Sequence, residues 1–178
     1  MPASAHSNHP KVGWTVADLF PGQRPFLAYH VAGAGYDLLT PVGVAIGGAL
    51  HASKLYQPYA TVWQTAGTAG LIGGTVGAVL GTTRLAVTAL QGKKASPPWD
   101  EAGIQKRVDG LHDNFKVRVM DKSVWMGMGA AAAALYVAGG PQKCGLSPGY
   151  LGIAQGLSLG SAVGSVSAIA CWACTKNA

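Results

Sequence analysis

The sequence predicts an all-α membrane protein with four short, glycine- and alanine-rich transmembrane helices and an amphipathic helix between spans two and three. Three observations lead there. Charged residues make up 11% of the chain, under half of the roughly 25% usual in soluble domains. They are absent from Leu38 to Ser53, from Leu55 to Thr83, from Ser123 to Gln142 and from Cys144 to Thr175. A bilayer core about 30 Å thick takes roughly 17–25 apolar residues of helix, so these gaps meet or approach membrane length. Glycines also recur every four residues inside two of the gaps.

Residues 1–36 read as an extramembrane N-terminal arm, because Pro2, Pro10, Pro21 and Pro25 disfavour a long helix. A short helix can start near Thr15 or Arg24. Residues 37–174 form the four-helix transmembrane domain. Its first span runs from about 38 to 56, with Pro41 in the first turn, where a missing donor costs little, and Pro58 just past the end. The second, about 60–90, is longer than a bilayer requires and so is tilted or projecting. The extramembrane loop 92–122 opens on KKASPPWDE. Ile104, Val108, Leu111, Phe115 and Val119 then recur at helical spacing, which predicts one amphipathic helix leading into the third span. That span, about 123–140, is stopped by Pro141 and carries Trp125 and Tyr136 towards its ends, where headgroups favour amphipathic rings. The last span covers about 150–173.

Gly73, Gly77 and Gly81 lie four apart in the second span, and Gly70 and Gly74 form another such pair one position round. Gly152, Gly156, Gly160 and Gly164 repeat the interval in the fourth, Gly43 and Gly47 give a shorter version in the first, and Gly127 precedes the alanines 130–134 in the third. Residues four apart share a helix face. In lipid no hydrophobic force draws helices together, so small residues act by letting two backbones approach and gain dispersion contacts. The glycines therefore predict helix-packing seams, with a lined pore as the competing reading. Ser158, Ser161, Ser165 and Ser167 are placed to add interhelical hydrogen bonds.

The net charge is +6, and seven of the thirteen Lys and Arg residues fall between Lys93 and Lys122. That is the pattern of a loop flanking spans, not a stripe interleaved with stacking aromatics for nucleic acid. Arg84 within the second span can snorkel to headgroups, and with Lys93, Lys94 and Lys122 it offers contacts to a phospholipid such as cardiolipin. Cys171 and Cys174 form C-W-A-C, formally a redox or metal motif, but without βαβ context they read as small hydrophobes. The five histidines have no metal-ligand spacing; His51 is the one inside a span, close enough to Lys54 to reach the interface. Gly33 and Gly35 in VAGAGYD lack the third glycine of a dinucleotide fingerprint. No catalytic constellation is apparent, so neither catalysis nor a resident cofactor or metal is expected. The first residues lack a secretory core and are poor in Arg, which points to internal targeting.

Four short spans, glycine ladders in the second and fourth, and a charged segment between the second and third resemble the translocase-of-inner-membrane family of four-helix mitochondrial proteins, over about residues 38–174. That family includes protein-import subunits and accessory subunits of respiratory complex I. The stretch RVDGLHDNFKVRVMDKSVWMGMGAA looks most like the accessory subunits, the matching positions being Arg107, Asn114, Arg118, Asp121, Ser123, Gly127 and Gly129. The resemblance implies a multi-pass protein of the mitochondrial inner membrane. It would attach to other subunits in the membrane arm of complex I, with no redox centre of its own. An import-translocase component is the alternative, and a small transporter or pore a third. With four spans, the termini and the 92–122 loop share one side with ten of the Lys and Arg residues. Positive-inside reasoning puts that side in the matrix, whereas the resemblance puts the termini in the intermembrane space.

Overall fold

A computed structural model of the chain describes residues 23–55 and 60–175. Among them there are five α-helices and no strand: α1 Gln23–Ala52, α2 Val62–Gln91, α3 Glu101–His112, α4 Phe115–Val137 and α5 Gly149–Thr175. The helix start expected near Thr15, and Pro58, lie outside the described residues.

α1 departs from the expected boundaries. It begins within the arm at Gln23 and continues unbroken past Leu38, so residues 23–36 belong to the same helix as the first span. Pro25 is tolerated because it lies in the first turn, whose N–H groups have no intrahelical acceptor. Pro41 is in mid-helix rather than in a first turn, and the Asp37 carbonyl loses its usual donor there. The helix extends this far because its first residues find a core. Phe26 and Leu27 bury against Ile104 and Val108 of α3, with Trp99 and Leu111 partly buried beside them. This small cluster caps one end of the molecule.

α2 is opened by a reciprocal capping box. The Gln64 amide donates to Thr61 Oγ1 at 3.1 Å, and the Thr61 amide to Gln64 Oε1 at 3.0 Å. It ends at Gly92, whose φ of 54° suits a residue without a side chain. Asp100 caps α3, accepting from the Gly103 amide at 2.8 Å.

The expected single amphipathic helix is in fact two. Asp113 and Asn114 interrupt it, and Asn114 Oδ1 accepts from the Lys116 amide at 3.0 Å, starting α4 afresh. The apolar stripe is divided accordingly, Ile104 and Val108 being buried while Phe115 is 60% exposed. α4 then contains most of the expected third span and stops at Val137, ahead of Gly139 and Gly140 with φ of 78° and 119°.

The long helices form two hairpins, α1 with α2 and α4 with α5. α5 also packs against α2 and α1, whereas α1 and α4 make almost no direct contact. Two segments are long and apolar enough to cross a membrane, Val62–Lys94 and Gly149–Cys174, with mean hydropathy 1.3 and 1.5. α1 and α4 are less apolar than that: α1 carries Arg24 and Asp37, and α4 carries Lys116, Arg118, Asp121 and Lys122.

The bundle is turned inside out relative to a water-soluble globule. Thr40, Ser158, Ser161 and Ser165 have no exposed surface, and Gln155 has 1%. Leu38, Ile72 and Val163 are more than 60% exposed, as part of an outward apolar face that also includes Val42, Ile46, Val76 and Val79.

Candidate functional site

The glycines define two backbone-to-backbone seams. Along the first, Val31, Gly35, Leu39, Gly43 and Gly47 of α1 meet Gly81, Gly77, Gly73, Ala69 and Thr65 of α2. Each four-residue step forward in one helix matches a four-residue step backward in the other, as an antiparallel pair requires. A methyl group on Gly47 would lie 2.7 Å from the Thr65 carbonyl oxygen, and one on Gly73 or Gly81 would lie 2.5 Å from the carbonyl of Leu39 or Val31. At Gly35–Gly77 and Gly43–Ala69 the approach is closer still.

The second seam joins α4 to α5, with Gly127 against Gly160 and Ser123 against Gly164. A methyl on Gly160 would also come within 2.8 Å of Ala131 Cβ. The remaining glycines predicted to pack do so differently. Gly70 makes room for Ser158 and Val44, Gly74 for Thr40 and Tyr36, and Gly156 for Leu135. Gly152 faces no other helix: it sits against Ser147 and Pro141 of the α4–α5 connection.

Two packing glycines escape the sequence reading. Gly35, in the VAGAGYD stretch, lies within the α1 seam opposite Gly77, and its place eight residues before Gly43 is the available signal. Gly67 accommodates Gln155, whose Cβ would be 2.8 Å from a methyl there. Gln155 was also missed. Its amide nitrogen donates to Thr68 Oγ1 at 2.8 Å and its oxygen accepts from the Ser147 amide at 2.9 Å, tying α5 to α2 and to the preceding connection. A buried amide partnered on both atoms fixes helix register without leaving a polar group unsatisfied.

The expected serine bonds are realised in part. Ser161 donates across to Asp37 Oδ1 at 3.4 Å, but Ser167 is exposed and bonds back to the Val163 carbonyl of its own helix at 2.8 Å. Ser165 Oγ is buried and has no hydrogen-bond partner among the described residues.

Arg84, Lys93, Lys94 and Lys122 are exposed, and all lie towards the capped end. Among the described residues the one ion pair is His30–Asp121, so none of these cations is held by a carboxylate. His51 is half-buried in the last turn of α1, at the opposite end. Cys144, Cys171 and Cys174 are free thiols, the last two exposed.

Positions drawn from the family resemblance have structural places. Arg107 folds back on the Pro98 carbonyl at 3.1 Å and lies 5.3 Å from the Trp99 ring centre. Asn114 caps α4; Ser123 and Gly127 lie in the second seam; Arg118 is exposed; and Gly129 faces open space.

Between α1 and α4, where the helices do not pack, lies a cavity of about 200 Å³ lined by Tyr29, Gly33, Tyr36, Asp37, Asp121 and Trp125 among others. His30 Nδ1 is 3.7 Å from Asp121 Oδ2 on its wall. The His30 ring sits 6.0 Å from Phe26 in the cap, where burial pushes its pKa down, against the pull of Asp121 and with the help of His112. Among the described residues neither Lys nor Arg lines the cavity. Among the described residues no three His, Cys, Asp or Glu side chains converge as metal ligands would.

Comparison with family models, with curated proteins and with solved structures returns no match for this chain.

Proposed function

We propose that the chain is a multi-pass membrane protein in which α1, α2, α4 and α5 each span the bilayer, and that it acts as a non-catalytic accessory subunit of the mitochondrial inner membrane. The reading is carried by the reversed distribution of side chains. A soluble bundle would bury Leu38, Ile72, Val79 and Val163 and expose serines; here those large apolar groups face out, and the helix contacts are mostly glycine, alanine, serine and threonine, with Val124 and Leu135 also buried. Lipid makes that arrangement favourable, because outward leucines and valines are solvated by acyl chains while small inward residues let helices touch. α1 and α4 are less apolar than the other two, and their Lys, Arg and Asp residues all precede the apolar gaps that begin at Leu38 and Ser123, where on this reading the bilayer core begins.

The glycine seams give the protein a rigid, thin-walled shape with apolar sides, suited to standing against neighbouring membrane subunits. The assignment of those neighbours to the membrane arm of NADH:ubiquinone oxidoreductase rests on the resemblance of residues 107–129. The exposed Arg84, Lys93, Lys94 and Lys122 fit phospholipid phosphate at the rim, with cardiolipin as the lipid proposed.

The test is a native gel of membranes solubilised in mild detergent and probed for this chain. Co-migration with complex I, and loss of intact complex on depletion, is the expected result. Recovery with a protein-import complex would transfer the chain to the alternative family role, and recovery as a free monomer would remove the accessory-subunit reading.

A further inference from the structure

The cavity lies between α1 and α4, which make almost no direct contact. Its floor is small, being formed by Gly33 and Ala34, and a methyl on Gly33 would meet nothing within 4 Å. The space is therefore real room in front of a helix face, and not a close approach that requires glycine.

What borders it is chemically one-sided. Asp37 is 91% buried, as its relative exposure of 9% shows, and accepts only a long 3.4 Å hydrogen bond from Ser161. No cation reaches it from within the described chain. Asp121 has His30, at 3.7 Å, a partner that burial pushes towards the neutral form. A buried carboxyl is stabilised either by taking up a proton or by a paired cation, and a cation is the partner that keeps it charged. The walls are Tyr29, Tyr36 and Trp125. Aromatic faces carry negative potential and attract cations within about 6 Å of the ring centre, quaternary ammonium groups being a recurrent case.

We propose that this cavity is a binding site for an organic ammonium group, held by the Asp37 and Asp121 carboxylates and walled by the Tyr29, Tyr36 and Trp125 rings. A bare metal ion fits it poorly, because the donors do not converge. A space of about 200 Å³ has the dimensions of an amine of a few heavy atoms or of a choline-type headgroup. Asp37 stands immediately before the apolar gap that begins at Leu38, and Asp121 two residues before the one that begins at Ser123, with the exposed Lys122 between. On the four-span reading this puts both carboxylates at headgroup level, open to a lipid headgroup and to water-borne amines alike. The ammonium chemistry needs neither that reading nor a partner subunit; only the lipid source depends on it.

The experiment uses the full chain purified in detergent. Choline chloride and ethanolamine hydrochloride are titrated calorimetrically, and native mass spectrometry compares retention of phosphatidylcholine with phosphatidylglycerol. At least one ammonium probe is expected to bind, roughly tenfold or more weakly in Asp37→Asn and not at all in Gly33→Leu, whose side chain fills the space. Binding of the soluble cations identifies a free amine as the ligand, whereas retention of phosphatidylcholine alone identifies the lipid headgroup. Both variants are checked by helicity and melting temperature, and if Gly33→Leu loses its fold the near-isosteric Asp37→Asn decides. Absence of binding by every ammonium probe, preference for phosphatidylglycerol, or affinity unchanged in Asp37→Asn would overturn the proposal.

Discussion

The capped end of the molecule buries large side chains, and the body of the bundle buries mostly small ones, with Val124 and Leu135 as exceptions. In the cap, Phe26, Leu27, Ile104 and Val108 close over one another as in any small aqueous core. A few turns further along the same α1 helix, the buried positions are Thr40, Gly43 and Gly47, and the leucines and isoleucines have moved outside. The cap gains stability by removing apolar surface from water, at roughly 25 cal/mol per Å². On the proposed membrane reading the bundle has no such gain available in lipid and depends instead on backbone contact. One helix thus passes from one set of rules to the other, and Asp37 lies near the change.

Substitutions should separate the two regimes, and the largest effect belongs to the seam. Gly77→Leu places a side chain against the Gly35 carbonyl, where the backbone of α1 leaves no room. We expect a loss of about 4 kcal/mol or more and low steady-state abundance, measured by thermal unfolding in detergent and by immunoblot of membranes. Gly48→Leu is the control, because nothing lies within 4 Å of a methyl there, and it should be nearly silent. Equal damage from both would mean that glycine is needed for something other than contact.

Next comes the outward face. Val76 is 48% exposed near the middle of α2. In water, Val76→Lys would be almost neutral. In a bilayer it is expected to cost about 3 kcal/mol, the range for a lysine at the centre of a spanning helix. Glycosylation-mapped insertion of α2 measures the difference directly, and unchanged insertion would remove the lipid from the comparison.

How much of this was legible in the sequence follows the same division. The extents of α2 and α5 were readable, because uninterrupted apolar composition governs them and no tertiary contact is needed to extend them. α1 was misjudged because its first turns are held by α3, some 75 positions away in sequence, and proline was weighed without the partner that compensates for it. The amphipathic stripe from Ile104 to Val119 was read as one helix because spacing alone does not register that Asn114 makes a better cap than an interior residue. In the seams, the spacing of Gly73, Gly77 and Gly81 was visible, but their counterparts in α1 include Val31 and Leu39, which offer backbone carbonyls rather than small side chains. The cavity could not be read at all. Tyr29, Asp37, Asp121 and Trp125 become neighbours only because α1 and α4 stand apart with α5 packed against both.

In the cap, Ile104→Ala should cost about 2–3 kcal/mol, the usual range for emptying a well-packed apolar site. Ile104 is 2% exposed. The damage should stay local, with faster proteolysis and hydrogen exchange in residues 92–113 and little change in the seams. If the whole bundle melts with it, the two regions are one cooperative unit.

The smallest expected effect probes the joint between them. Asn114 ends the influence of the cap and starts α4, its side chain accepting from the Lys116 and Val117 amides at 3.0 and 3.5 Å. Asn114→Ala removes that acceptor and is expected to destabilise the first turn of α4 by about 1 kcal/mol. With the cap bond gone, α3 and α4 can merge into the continuous helix that their apolar spacing favours. That rearrangement would carry Ile104 and Val108 away from Phe26, so its cost falls on the cap and not on the glycine seams. Hydrogen exchange at residues 115–118 should rise several-fold while exchange at residues 127–131 stays as before. Equal acceleration of both stretches would show that the packing of α4 against α5 depends on how that helix begins.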